Sequence, residues 1–176
     1  MRIMIVSISL LSLAACAPVQ APEPVAVSNV AIAELKRGDG SSAGVATLSD
    51  RSDGLWLSVA ATGVAPATYG IHLHSIGKCD APDFTSAGPH WNPAQTQHGF
   101  DNPMGTHAGD IRNLVVNDGG AGAIEVNLVG AVFDGPTGLF DPDGVALVIH
   151  EKPDDYKTDP SGNSGKRVIC GVFAQN

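Results

Sequence analysis

From Asn29 onward the chain is written in short alternating apolar runs cut by turn-forming clusters, and that pattern restricts it to an all-β fold. Val45, Leu55, Leu57, Val59, Leu73, Val126 and Leu128 fall in such runs, and Gly-Asp-Gly, Ser-Asp-Gly, Asn-Asp-Gly-Gly and Asp-Pro-Asp-Gly separate them. A period of two sends successive side chains to opposite faces, so each run can bury one face and wet the other. The spacing predicts strands over 29–36, 43–49, 55–63, 69–76, 113–118, 122–130, 144–151 and 167–173. No window carries a capped 3.6-residue repeat. Eight short strands in one domain point to a sandwich or a Greek-key barrel.

A length of 176 residues suits one domain with a real core and is marginal for two. Gly 21 and Pro 12 supply many turns, and with aromatics at 5% small aliphatic side chains must fill much of the core. The net charge is −8, or −9 once a leader containing Arg2 is removed. No basic run or Arg-rich stripe is present, which argues against a nucleic-acid partner.

Residues 1–15 read as a signal peptide: Arg2 supplies a minimal positive start, and the apolar stretch Ile3 to Leu13 is too short for the ~20 residues of a membrane-spanning helix. Leu13-Ala14-Ala15-Cys16 resembles the lipobox of bacterial lipoproteins, which implies cleavage before Cys16 and its lipidation. The alternative is an ordinary signal peptide with an incidental cysteine. Residues 16–28, with Pro18, Pro22 and Pro24, read as an extended tether, and 29–176 as the folded domain. Any membrane association would run through a lipid on Cys16, on the periplasmic side of the envelope. Ala17 after Cys16 favours the outer membrane by analogy with lipoprotein sorting. The other two cysteines, Cys79 and Cys170, would usually form a disulfide in an oxidising compartment, and the rival reading as metal thiolates lacks any CxxC partner.

Two segments break the alternation. Gly77 to Arg112 is long and rich in Pro, Gly and His, and Lys152 to Lys166 is polar and charged. Long loops in a compact domain are usually functional or disordered. His72 and His74 form His-x-His in a strand, so both rings share one face about 7 Å apart, suited to chelating one ion. His90, His98, His107 and Asp110 follow within one loop at spacings of 8, 9 and 3, a set that suits tetrahedral zinc. His150 ends the apolar run Val145 to Ile149, which reads as a residue placed at a rim. All six histidines of the chain belong to this set, and none lies in the first 71 residues. Random surface histidines would scatter.

Gly-Ile-His-Leu-His, Thr-Ser-Ala-Gly-Pro-His-Trp-Asn-Pro, His-Gly-Phe, His-Ala-Gly-Asp-Ile, His-Glu-Lys-Pro-Asp-Asp and Gly-Asn-Ser-Gly-Lys-Arg-Val-Ile-Cys-Gly-Val appear in this order. Over 29–176 the chain thereby resembles the exported bacterial copper,zinc superoxide dismutases. The resemblance implies an eight-stranded Greek-key β-barrel, a relative of the immunoglobulin-like sandwich, with long zinc and electrostatic loops. It implies one copper and one zinc per subunit: copper on His72, His74, His90 and His150, zinc on His90, His98, His107 and Asp110, with His90 bridging. Asp154 would bond His72 and His98 from behind, Cys79 and Cys170 would form the intrasubunit disulfide, and Arg167 would face the open copper position. The implied reaction is dismutation of superoxide to dioxygen and hydrogen peroxide, with Arg167 and His90 as its catalytic residues, protecting the cell envelope from oxidative damage. Family members occur as monomers and as homodimers. In so acidic a chain an anionic substrate requires local positive charge; Arg167 would supply it, and Lys152, Lys157 and Lys166 are candidates to contribute, although exposed lysines more often serve only as solubilising charge. Trp91 departs from the Phe or Tyr more usual after the bridging histidine, a matter of packing. A metal-storage or chaperone module on the same barrel would be expected to lack a copper histidine or the arginine, and a purely structural envelope lipoprotein has no use for seven ligands; here all are present.

Overall fold

The computed structural model describes residues 26–175. The leader, Cys16 and most of the tether lie outside them. Ten strands form one antiparallel sheet: β1 (Val27–Arg37), β2 (Ser42–Arg51), β3 (Gly54–Thr62), β4 (Ala67–Tyr69), β5 (Ile71–His74), β6 (Leu114–Val116), β7 (Ala121–Asn127), β8 (Ala146–His150), β9 (Arg167–Val172) and β10 (Ala174–Gln175). Among the described residues the only helical element is the 3₁₀ turn Thr85–Ala87.

All eight predicted segments are strands, and one of them breaks in two. The sheet runs β4-β6-β7-β3-β2-β1-β9-β8-β5, so its first and last members, β4 and β5, are neighbours along the chain; the predicted segment 69–76 takes in all of β5 but only Tyr69 of β4, whose Ala67 and Thr68 lie before it. Gly70 is the break. Its N–H donates to Lys152 O at 2.8 Å and its own carbonyl accepts His150 N–H at 2.8 Å, so both backbone groups continue the β5–β8 pairing and neither is left for β6. A side chain at Gly70 would meet Ser164 Cβ at 2.8 Å. The segment before the glycine pairs with β6 and the segment after it with β8, which nearly closes the sheet into a barrel. Closure leaves few exposed edges.

Alternation survives where one face meets water. In β3, Leu55, Leu57, Val59 and Ala61 are buried while their neighbours are not. In β5 and β8 every residue is buried. Ile71, Leu73, Leu147 and Ile149 face the barrel core, which small residues such as Ala31, Ala33 and Ala46 help to fill. The other face of β5 and β8 is covered by the loop Gly77 to Arg112, and the histidines stand on that face. Emptying such a core site, as in Leu73→Ala, costs about 2–5 kcal/mol. Cys79 and Cys170 are joined, tying this loop to β9 across 91 residues of sequence. The chain-entropy model gives such a closure about 4–5 kcal/mol.

Candidate metal centre

The register of two strands assembles the first group. His72 pairs with Val148 and His74 with Ala146, while His150 ends β8 at a bulge opposite Arg167 of β9. The loop supplies His90 by docking on β5: Trp91 N–H donates to Leu73 O at 2.8 Å and Ser75 N–H to Pro89 O at 2.9 Å. The next turn back, Leu73 N–H to Gly109 O at 2.9 Å, brings Asp110 alongside. Gly109 has to be glycine there, because a Cβ would lie 2.5 Å from Leu73 O.

One ligating nitrogen each from His72, His74, His90 and His150 lies within 4.8 Å of the others. The opposite ring nitrogens are already engaged. His72 Nε2 bonds Asp154 Oδ2 at 2.8 Å, His74 Nδ1 bonds Gly88 O at 2.8 Å, and His150 Nδ1 bonds Gly165 O at 3.2 Å. Each of these partners accepts a ring N–H, which leaves a lone pair on the far nitrogen. Those far nitrogens, His72 Nδ1, His74 Nε2 and His150 Nε2, together with His90 Nε2, are buried without a hydrogen-bond partner. Four converging lone pairs are costly in a protein interior and suit a cation. Burial pushes the ring pKa down to about 3 for His72, about 2 for His74 and about 4 for His150, so these rings are neutral and ready to ligate at neutral pH.

The second group closes around one carboxylate oxygen. Asp110 Oδ1 lies 2.9 Å from His90 Nδ1, 2.9 Å from His98 Nδ1 and 3.2 Å from His107 Nδ1. His90 Nδ1 and His107 Nδ1 are 3.3 Å apart. Tetrahedral zinc with bonds near 2.0–2.1 Å has donor atoms about 3.3–3.4 Å apart, so these residues fit that ion. The other oxygen, Oδ2, builds the loop: it accepts Gly99 N–H at 2.9 Å, His107 N–H at 3.0 Å and the Thr106 hydroxyl at 2.7 Å. His72 also approaches this group within 4.8 Å, but its Nε2 is spent on Asp154, whereas His107 presents Nδ1 directly to Asp110 and His90.

His90 therefore faces both groups, Nε2 toward the first and Nδ1 toward the second. Asp154 stands behind both, taking His72 on Oδ2 and His98 Nε2 on Oδ1 at 3.0 Å. Burial alone would lower the His98 pKa, but its bonds to Asp110 and Asp154 outweigh it and raise the value to about 9. Burial would raise both carboxyls; the imidazole bonds outweigh it and hold Asp110 and Asp154 well below the usual carboxylate range.

A cavity of about 1070 Å³ opens onto His74, His90 and His150. Arg167 lines it, its Nη1 donating to Phe84 O at 2.7 Å and its Nη2 to Gly88 O at 2.6 Å. Asp141 and Asp159 line it too. The three lysines singled out in the sequence do not: Lys152, Lys157 and Lys166 are exposed and absent from this lining, and Lys166 borders a neighbouring depression with Asp83. Arg167 is the one cationic side chain among the described lining residues. Sequence reasoning also passed over Asn113, Tyr156 and Gly162, which hold Asp154 in place. Gly162 opens the run Gly-Asn-Ser-Gly-Lys-Arg, but nothing in that run ties it to Asp154; in the fold a Cβ there would collide with Asp154 Oδ1.

The sequence model of the copper/zinc superoxide dismutase (SODC) family matches residues 42–173. The Cu-Zn superoxide dismutase 1 of Aquifex aeolicus is 43% identical over 143 residues, spanning 80% of this chain and 85% of that protein. The Cu-Zn superoxide dismutase of Caulobacter vibrioides is 40% identical over 149 residues, 81% of this chain and 84% of its own. Among solved structures, a superoxide-dismutase-like protein from Bacillus subtilis superposes with a TM-score of 0.78 at 38% identity, covering 85% of this chain and 100% of that one.

Proposed function

The chain belongs to the copper/zinc superoxide dismutase family, and on that premise we propose that it dismutates superoxide at the cavity bounded by His74, His90, His150 and Arg167. Two superoxide anions and two protons give one dioxygen and one hydrogen peroxide. The observation that carries the reading is the set of four buried, unpartnered imidazole nitrogens aimed at one point beside a guanidinium. His72, His74, His90 and His150 would hold copper; His90, His98, His107 and Asp110 would hold zinc. Copper supplies reversible one-electron exchange with superoxide, and zinc supplies a redox-inert charge that orders the loop.

The protein's own groups do the rest. Arg167 draws the anion into an acidic molecule and orients it, and its two carbonyl contacts fix where the guanidinium points. His90, at the cavity wall, is placed to carry a proton on Nε2 to the peroxide product while its Nδ1 side stays held among Asp110 and His107. Gly88 and Gly165 carbonyls keep His74 and His150 in the tautomers that present Nε2.

The enzyme works on the periplasmic side of the envelope, anchored through a lipid on Cys16, and protects the envelope from superoxide. The Cys79–Cys170 bond and the Leu-Ala-Ala-Cys motif support this placement. Superoxide decay followed with metal-loaded protein tests the activity: catalysis that cyanide blocks is the expected result, and decay no faster than with chelated buffer contradicts it. Labelling with a fatty-acid analogue, lost in Cys16→Ser, tests the anchor.

A further inference from the structure

Arg112 closes the loop Gly77 to Arg112, and its side chain leaves the metal site for the surface. Its guanidinium carbon lies 4.2 Å from the ring centre of Phe100 and 4.9 Å from that of Tyr156. The two rings meet edge to face at 5.7 Å. Phe100 belongs to the loop that carries His98, His107 and Asp110; Tyr156 belongs to the other long loop, two residues after Asp154. One surface arginine thus stacks the two loops together.

The same tyrosine is wired to Asp154. Its hydroxyl accepts Asn113 N–H at 2.8 Å, and Asn113 grips the Asp154 backbone twice, donating Nδ2–H to its carbonyl at 2.9 Å and accepting its N–H at 2.9 Å. Tyr156 N–H donates to Asp154 Oδ1 at 2.6 Å, and Asp101 N–H donates to Tyr156 O at 2.8 Å. Tyr156 sits at φ +60, a left-handed conformation unfavourable for an aromatic residue, so surrounding contacts have to hold it there. Gly99 leaves room for the Tyr156 carbonyl, which a Cβ at that position would approach to 2.2 Å.

We propose that Arg112 and Tyr156 are positioning residues for zinc retention: the stack locks Asp154 behind His98, and through His98 keeps the zinc ligands assembled. This rests on the reading of His90, His98, His107 and Asp110 as the zinc site. The sequence offers no metal-binding pattern at 112 or 156; Arg112 borders a depression that His107 and Asp110 also line, with its guanidinium stacked on the two rings. Their leverage comes from joining two loops that are otherwise linked through Asp154, through the Asp101–Tyr156 backbone bond and through Asp159, whose Oδ1 accepts His98 N–H at 2.6 Å.

The test is the rate at which fully metallated protein releases zinc to a colorimetric chelator, with the melting temperature of the metal-free protein measured alongside. Arg112→Ala removes the stack at an exposed position, and Tyr156→Phe keeps the ring but drops the hydroxyl acceptor. Both should release zinc about tenfold faster, the scale on which partners behind a metal ligand act. Arg112→Lys, which keeps a cation over the rings, should return release toward the wild-type rate. Release at the wild-type rate from both Arg112→Ala and Tyr156→Phe overturns the proposal and leaves the ligand set standing. Faster release matched by an equal loss of metal-free stability overturns it as well, since that marks a general effect on folding. A wild-type chain that binds no zinc overturns the ligand assignment and the proposal together.

Discussion

His74 and Arg167 share one acceptor: the Gly88 carbonyl takes His74 Nδ1–H at 2.8 Å and Arg167 Nη2–H at 2.6 Å. A ring with an unpartnered buried nitrogen and the guanidinium that lines the cavity are therefore fixed to the same peptide. That peptide lies in the arm that begins at Cys79, and the arm also supplies Phe84 O to Arg167. The disulfide thus acts on the guanidinium as well as on the fold.

Cys79→Ser should accordingly lower kcat/KM for superoxide by more than it lowers copper and zinc content. Equal losses of rate and metal would mean that the arm serves the metal site alone.

Arg167 is the cation of the cavity lining, opposed by Asp141 and Asp159. Arg167→Glu should keep both metals and slow turnover by about tenfold or more, within the 10–10³ range of electrostatic steering. Asp141→Asn should raise the low-salt rate, and the wild-type rate should fall as salt rises. These are read by superoxide decay at several ionic strengths; a rate indifferent to Arg167→Glu contradicts the steering role.

Asp154 holds His72 and His98 on opposite oxygens, with Gly162 pressed over the His98 bond. Gly162→Ala, strained by φ +62 and by the contact with Asp154, should weaken zinc about 10–100-fold, as should Asp154→Asn. Zinc titration in competition with a chelator decides it. Wild-type affinity in both variants would show that the carboxylate does not tune the site.

The metal-free protein should be most stable near neutral pH. His72, His74 and His150 have pKa values lowered by burial from 6.5 to between about 2 and about 4, so below 6.5 the unfolded chain takes up protons that these folded rings refuse, and stability falls as pH drops. His98 has the opposite sign. Burial works against its charged form, but the two carboxylates raise its pKa to about 9, so its contribution is full below 6.5 and is lost as pH rises through about 9. Urea midpoints of chelator-treated protein between pH 4 and about 9.5 should trace a maximum. A midpoint that climbs steadily across that range contradicts this assignment.

How much of this was legible in the sequence depends on where the partners lie. His90, His98, His107 and Asp110 share one loop, so their chemistry could be read from spacing alone, and the loop folds them onto one oxygen. His72, His74 and His150 meet only through the β5–β8 register, a long-range pairing that no local pattern encodes. The break at Gly70 was hidden because an alternating run looks the same whether or not it turns from one sheet edge to the other. For Lys152, Lys157 and Lys166 the sequence leaves open a part in the positive funnel or plain solubilising charge; the loop holds them exposed and away from the cavity lining, which fits the second. The Arg112 stack needs two loops at once, so neither Phe100 nor Tyr156 announces it.

The central claim is that one imidazole, His90, serves two metals, with Nε2 among the first four ligating nitrogens and Nδ1 among the second set. Copper and zinc content per chain, measured for the wild type and for His90→Ala after identical loading and dialysis, tests it most directly. One of each metal in the wild type and a loss of both in the variant is the predicted result; wild-type occupancy of both metals in His90→Ala would contradict it.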